Sequence, residues 1–199
     1  MQAIESQNLI LYQTDLRGQW PQGAARAFAT RLPYARRLAL SSGSAAAHAS
    51  LAGIALALRA LTRLLGRRVH PSEMLFAPGE KPRLAPPAAD FSISHAGPWV
   101  ACAALARGRI GLDLEMGTDE RITGWVLREA ALKASGEGLR ALHEMQDVSV
   151  HGGRLSWRGE LWHVRRPAGF AGASACIVSS DEIAAVESNA LGLAELFVS

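Results

Sequence analysis

Apolar and polar residues change rhythm several times along this chain, and each change predicts an element. Apolar residues at 8–12 predict a first strand. Residues 18–33 keep no period and read as irregular. From 35 to 65, leucines and alanines recur at steps of three and four, the spacing of one helical face. Ser41-Ser42-Gly43-Ser44 interrupts that run; Ser44 is placed to cap its second part and Gly66 to end it. Short apolar runs at 73–76, 91–94, 99–105 and 110–115 predict strands, with turns at Gly97-Pro98 and Arg107-Gly108-Arg109. Residues 77–89 form a proline-rich loop. A helical pattern returns over 125–134 and is stopped by Gly136 and Gly138. Residues 156–158 and 161–164 flank Gly159-Glu160 as a hairpin, and 170–178 predicts another strand. Residues 181–196 carry helical spacing. Strands with a long helix, then strands with a second helix, lack strict βαβ alternation and a glycine-rich nucleotide loop. The pattern suits the α+β class.

The richest chemistry lies in Gly111-Leu112-Asp113-Leu114-Glu115 and in Trp125-Val126-Leu127-Arg128-Glu129-Ala130-Ala131-Leu132-Lys133. Side chains two apart on a strand share a face, so Asp113 and Glu115 project together. Glu129 and Lys133 are one helical turn apart and share theirs. Where the strand end meets the helix, three carboxylates converge with a lysine at their edge. Such a set suits Mg²⁺, which binds through a few carboxylates, waters and substrate phosphates, with Lys133 as a point charge for a phosphate. The alternative is a pair of strand-end acids and a surface ion pair worth about 0.3–0.5 kcal/mol.

Composition narrows the partners. A chain of 199 residues, 49% apolar, suits one large domain or two small ones on a shared core. A net charge of +3 and a pI near 9.3 favour acidic partners. No helix-turn-helix, zinc-finger or RNA-binding aromatic signature accompanies the charge, and a nucleic-acid-binding scaffold would leave the acids unexplained. Cys102 and Cys176 sit in apolar stretches without metal-ligand spacing and read as core. Residues 1–6 lack the charged and apolar regions of a leader. The most apolar segment, 45–58, is broken by His48, Ser50 and Gly53 and is short for a membrane span. A cytoplasmic protein with no membrane or nucleic-acid partner is expected.

An ordered set of motifs resembles the 4′-phosphopantetheinyl transferases of the longer, single-chain type. Glu80-Lys81-Pro82 is similar to that family's Gly-Lys-Pro, and Phe91-Ser92-Ile93-Ser94-His95 to its Phe-Asn-x-Ser-His. Gly111 to Glu115 fits Gly-x-Asp-x-Glu. Trp125 to Lys133 resembles Trp-x-x-Lys-Glu-Ala-x-x-Lys, extended by Gly136-Glu137-Gly138-Leu139. The likeness spans most of 80–139.

The resemblance implies two similar α+β halves related by a pseudo-twofold, each an antiparallel sheet packed on a helix, with coenzyme A between them. The halves would be 1–106 and 107–199, and their fusion favours a monomer. It implies Mg²⁺-dependent transfer of the phosphopantetheine arm from CoA to a serine of an acidic acyl or peptidyl carrier protein, releasing 3′,5′-ADP. Asp113, Glu115 and Glu129 would hold the metal. Glu129 would help take the serine proton and Lys133 would neutralise the leaving diphosphate. Lys81 and His95 would hold the 3′-phosphate, with Arg59 near the nucleotide. Two departures stand out. Arg128 replaces the family's lysine, a rigid fork in place of a point donor. Only residues 116–124 separate Glu115 from Trp125, where the family has a much longer segment that helps receive the carrier. A non-catalytic CoA- or carrier-binding homologue is the alternative.

Overall fold

The computed structural model describes residues 7–77, 79–145 and 148–198. The first six residues, read above for a leader, lie outside the described residues. Strand β1 (Gln7–Asp15) is followed by helices α1 (Gln22–Ala29), α2 (Tyr34–Ala39) and α3 (Ala45–Leu65). Short strands β2 (Met74–Leu75) and β3 (Arg83–Leu84) precede β4 (Asp90–Ala96), β5 (Trp99–Leu105) and β6 (Ile110–Met116). Helix α4 (Glu120–Ser135) leads into a 3-10 helix, Leu139–Met145. Strands β7 (Arg154–Trp157), β8 (Glu160–Arg165), β9 (Ala173–Ser179) and β10 (Ile183–Leu191), then the single turn α5 (Leu193–Leu196), complete the described chain.

Helix ends follow local chemistry. Ser44 Oγ accepts from the Ala47 amide at 3.2 Å, and Gly66 closes α3 at φ 63°. Asp119 caps α4, accepting from the Ile122 amide at 3.0 Å, and Gly136 ends it at φ 79°. Helix α4 therefore begins five residues earlier than the apolar pattern predicts, because its first turn is solvent-facing and set by a cap. The link from β6 shrinks to residues 117–119, pinned by the Gly117 amide to the Gly172 carbonyl (2.9 Å) and Ser174 Oγ to the Gly117 carbonyl (2.8 Å). The strand and helix join without any longer insertion.

The molecule is mixed α+β. One four-stranded sheet has the order β10-β1-β5-β4, antiparallel except for the parallel β1–β10 pair. The other, β6-β9-β8-β7, is antiparallel throughout. Helix α3 covers the first sheet, where Ile54 and Leu61 meet Ile10, Phe91 and Val100. Helix α4 covers the second, where Val126 and Ala130 meet Trp162, Val164 and Val178. The alternate residues of both sheets, Leu9, Leu11, Ala101 and Ala103 with Leu112, Leu114 and Ile177, form a third cluster that joins them. Cys102 and Cys176 are buried core residues; burial pushes the Cys176 thiol up to about 12 and the Cys102 thiol up as well.

Three expectations change. Residues 18–33 contain α1. Residues 181–196 form β10 and only a single turn of helix, because pairing with β1 along residues 183–191 overrides a weak helical period. The turn at 106/107 separates β5 from β6, and β10, from the second segment, joins the first sheet beside β1. Helix α3 runs beyond the apolar stretch at 45–58 and is long and apolar enough to cross a membrane, yet 67% of its most apolar window is buried inside the protein. Its apolar faces are taken by the chain's own core.

Candidate active site

Gly111, Asp113 and Glu115 share the face of β6 that turns to α4, while Leu112 and Leu114 enter the inter-sheet cluster. A Cβ on Gly111 would stand 1.9 Å from the Ala130 carbonyl oxygen and 2.5 Å from the Ala134 nitrogen. Glycine there lets the helix backbone lie directly on the strand. That contact lowers Glu129 and Lys133 onto the acids of β6.

Asp113 is almost fully buried, at 3% exposure. Its Oδ1 accepts from Lys133 Nζ at 2.6 Å and from Ser94 Oγ at 3.0 Å. The Ser94 hydroxyl oxygen in turn accepts from the Leu114 amide at 3.2 Å. Asp113 Oδ2 is buried without a hydrogen-bond partner. Burial pushes the Glu129 carboxyl above its ordinary range; the charges of Asp113 and Glu115 add to the rise and Lys133 opposes it. The four predicted charges are thus close enough to act on one another.

Among the described residues no three His, Cys, Asp or Glu side chains form a ready metal cage. Lys133 stands against the buried acid instead of at the edge of a carboxylate trio, since it is the nearest countercharge for Asp113. The donor set still fits a hard divalent cation: three carboxylates, with one buried oxygen that has nothing to bind.

The strand edges beside this cluster are closed by side chains. Strand β4 ends one sheet and β6 begins the other. Asp90 Oδ2 accepts from the Ile110 amide at 2.8 Å, and Ser94 does the same for Leu114, four residues further along both strands. Side-chain oxygens thereby replace a backbone ladder across the seam. Lys81 completes it, donating to Asp90 Oδ2 (2.7 Å) and to the Ile110 carbonyl (2.8 Å).

A cleft of about 1030 Å³ opens along the seam, walled by β4, the 79–83 loop, the last turns of α4 and the turn after them. Lys81, Glu129 and Lys133 all line it. So do Arg83, Arg109 and Arg140, which sequence reasoning missed. Arg109 binds Glu160 at 2.6 Å and lies over the Trp162 ring at 4.6 Å; Arg140 Nε donates to the Glu137 carbonyl at 3.0 Å. Their only signal in the sequence is the basic surplus.

Two predicted ligand residues lie elsewhere. Arg59 points its guanidinium at the carbonyls of Glu195, Leu196 and Val198 and lines a different cavity, so its partner is the last turn of the chain rather than the cleft. His95 is exposed near the end of β4 and is not part of the cleft wall. It follows Ser94 on the strand, and successive side chains take opposite faces. Glu115 is half-buried on β6, outside the cleft lining but within electrostatic reach of Glu129. Arg128 donates from Nε to the Met145 carbonyl at 3.0 Å, tying the 3-10 helix to α4.

No family model matches this chain, and no curated protein matches it. The chemistry rests on the arrangement itself: a carboxyl with a raised pKa, a lysine on the same wall, a buried acid with a spare oxygen, and a cleft whose wall adds Lys81, Arg83, Arg109 and Arg140 to the acids Glu80, Asp90 and Glu137.

Proposed function

We propose that this protein is a Mg²⁺-dependent 4′-phosphopantetheinyl transferase, moving the phosphopantetheine arm of CoA to a carrier-protein serine and releasing 3′,5′-ADP. One observation carries the reading: Asp113, with its unpartnered Oδ2, sits between Lys133 and the seam of two sheets, where Glu129 and Lys133 open into a cleft lined by charges of both signs. A cleft of about 1030 Å³ is at the upper end of small-molecule sites, roughly 300–1,000 Å³, as a nucleotide with a long arm requires. The motif order from Lys81 to Lys133 supports the same family.

Phosphoryl transfer is mainly positioning and charge neutralisation. Mg²⁺, held by Asp113, Glu115 and Glu129, would supply Lewis acidity to the diphosphate. Lys133 would exchange Asp113 for the diphosphate and neutralise it as ADP leaves. Glu129, whose proton affinity is raised, would accept the proton of the attacking serine. Lys81, Arg83 and Arg140 are the cleft cations suited to the 3′-phosphate, in place of Arg59 and His95.

The connectivity supports a pseudo-twofold. Strands β1, β4 and β5 with α3 take the order β1-β5-β4, and β6, β8 and β9 with α4 take the order β6-β9-β8. The net positive charge suits an acidic acyl or peptidyl carrier. A cytoplasmic monomer belongs to this reading.

The link of residues 117–119 favours a second reading, a CoA- or carrier-binding homologue without transfer, since a longer segment would be absent from the docking face. Mass spectrometry of an apo acyl carrier protein mixed with the protein, CoA and Mg²⁺ separates the two. Transfer expects the carrier to gain the mass of the arm, and Asp113→Ala or Glu129→Ala to abolish that gain. CoA binding without transfer to acyl or peptidyl carriers selects the second reading. Full activity in both variants, or binding of neither CoA nor carrier, rejects the site.

A further inference from the structure

A second cavity, of about 470 Å³, shares no lining residue with the cleft. It is walled by α1, α3, β1 and the segment at and after α5. Its floor is apolar and buried: Phe28, Ala55, Leu58, Val69, Leu196 and Phe197. Its rim holds Arg31, Arg59, Arg63 and Arg68, with no aspartate or glutamate among the described lining residues.

Two of these arginines serve the fold. Arg59 holds the carbonyls of the last turn, and Arg63 grips Glu187 through two bonds of 2.9 and 3.1 Å. The other two meet no carboxylate among the described residues. Arg31 lies over the Phe28 ring at 5.9 Å, and Arg68 makes no side-chain hydrogen bond or ion pair there. An apolar chamber rimmed by unmatched guanidinium groups is complementary to one kind of molecule.

We infer that this cavity binds a single-chain amphiphilic anion, an acyl or alkyl chain with a carboxylate or phosphate head. The tail lies on the Phe28–Phe197 floor and the head is taken by Arg31 and Arg68. Guanidinium forks pair with carboxylate and phosphate through two parallel hydrogen bonds, which supplies the selectivity. Tail burial supplies most of the affinity, at about fourfold per methylene. The site is independent of the transferase reading.

Calorimetric titration of the whole protein tests this, with decanoate, decyl phosphate, octanoate and decanol below their aggregation concentrations. Decanoate and decyl phosphate are expected to bind one site, and their relative affinities identify the head preferred. Octanoate is expected to bind about tenfold or more weaker than decanoate, and decanol at least tenfold weaker. Arg31→Gln/Arg68→Gln, both exposed positions, should lose at least tenfold for the anions and nothing for decanol. Trp20 packs edge-on to Phe197 at 5.4 Å, so its fluorescence should report filling, and Trp20→Phe should silence that change. The inference is overturned by equal binding of decanol and decanoate, or by anion binding that the double variant leaves intact. It is equally overturned if wild type binds only phosphatidylglycerol vesicles or an acidic peptide and no monomeric amphiphile.

Discussion

Lys133 Nζ stands 2.6 Å from Asp113 Oδ1, pairing a lysine side chain that is 30% exposed with an aspartate side chain that is 5% exposed. The two partners differ in what they lose when separated. Lys133 can turn to the cleft and to water, whereas Asp113 stays sealed between β6 and α4. Lys133→Met should therefore destabilise the fold by about 2 kcal/mol, below the 3–5 kcal/mol of a fully buried pair because the lysine is partly solvated. Asp113→Asn should cost less, since the amide oxygen still accepts from Lys133. Urea denaturation compares them, and equal or reversed costs would contradict this account. In thermal melts, Mg²⁺ should raise Tm more for Lys133→Met than for wild type, because the competing cation is gone.

Glu129 sets a pH dependence. Its folded carboxyl holds a proton to higher pH than its ordinary value of 4.5, through burial first and Asp113 next. As pH rises from that value through the raised one, the unfolded chain gives up its proton first. Stability is full below the ordinary value and falls across the window above it. Glu129→Gln should flatten that slope in denaturation midpoints measured from pH 4 to 8. A slope that survives the substitution would assign the effect to another group.

Gly111→Ala places a methyl 1.9 Å from the Ala130 carbonyl oxygen. The obstacle is helix backbone, which cannot rotate aside. A loss of about 3 kcal/mol is expected, at the upper end of overpacking. Because α4 must lift from β6, the Lys133–Asp113 pair should loosen as well, and CoA titration should show weaker binding in any folded fraction. A loss under about 1 kcal/mol would mean that the helix sits more loosely than the contact implies.

Ser94→Ala removes an acceptor for the Leu114 amide and a donor to Asp113 in one step. A buried amide left unpaired costs about 1–3 kcal/mol. Ser94→Thr keeps the hydroxyl and should retain more of the stability and of the carrier modification than Ser94→Ala. Chemical denaturation and the carrier mass assay measure the two effects; indistinguishable variants would remove Ser94 from the positioning of Asp113.

The acids were legible because strand and helix periods are local properties. Alternation in 110–115 places Asp113 and Glu115 on one face, and a four-residue step places Glu129 beside Lys133. Ser44, Gly66 and Gly136 were readable as helix ends for the same reason, since a cap acts within one turn. Asp119 was less so: the first turn of α4 is polar, and only its capping bond marks the start.

The arginines of the cleft left no pattern. Arg83, Arg109 and Arg140 come from separate elements and meet only when two sheets join along β4 and β6. Arg59 lies away from that cleft, because residues 195–198 fold back and take its donors. The sequence alone determined which residues share a strand or helix face, through backbone periodicity and caps. Tertiary packing decided that β10 crosses to β1, that Lys133 neutralises Asp113, and which cations face the cleft. Those outcomes depend on edge pairing, burial and countercharge between segments far apart in the chain, and no local period encodes them.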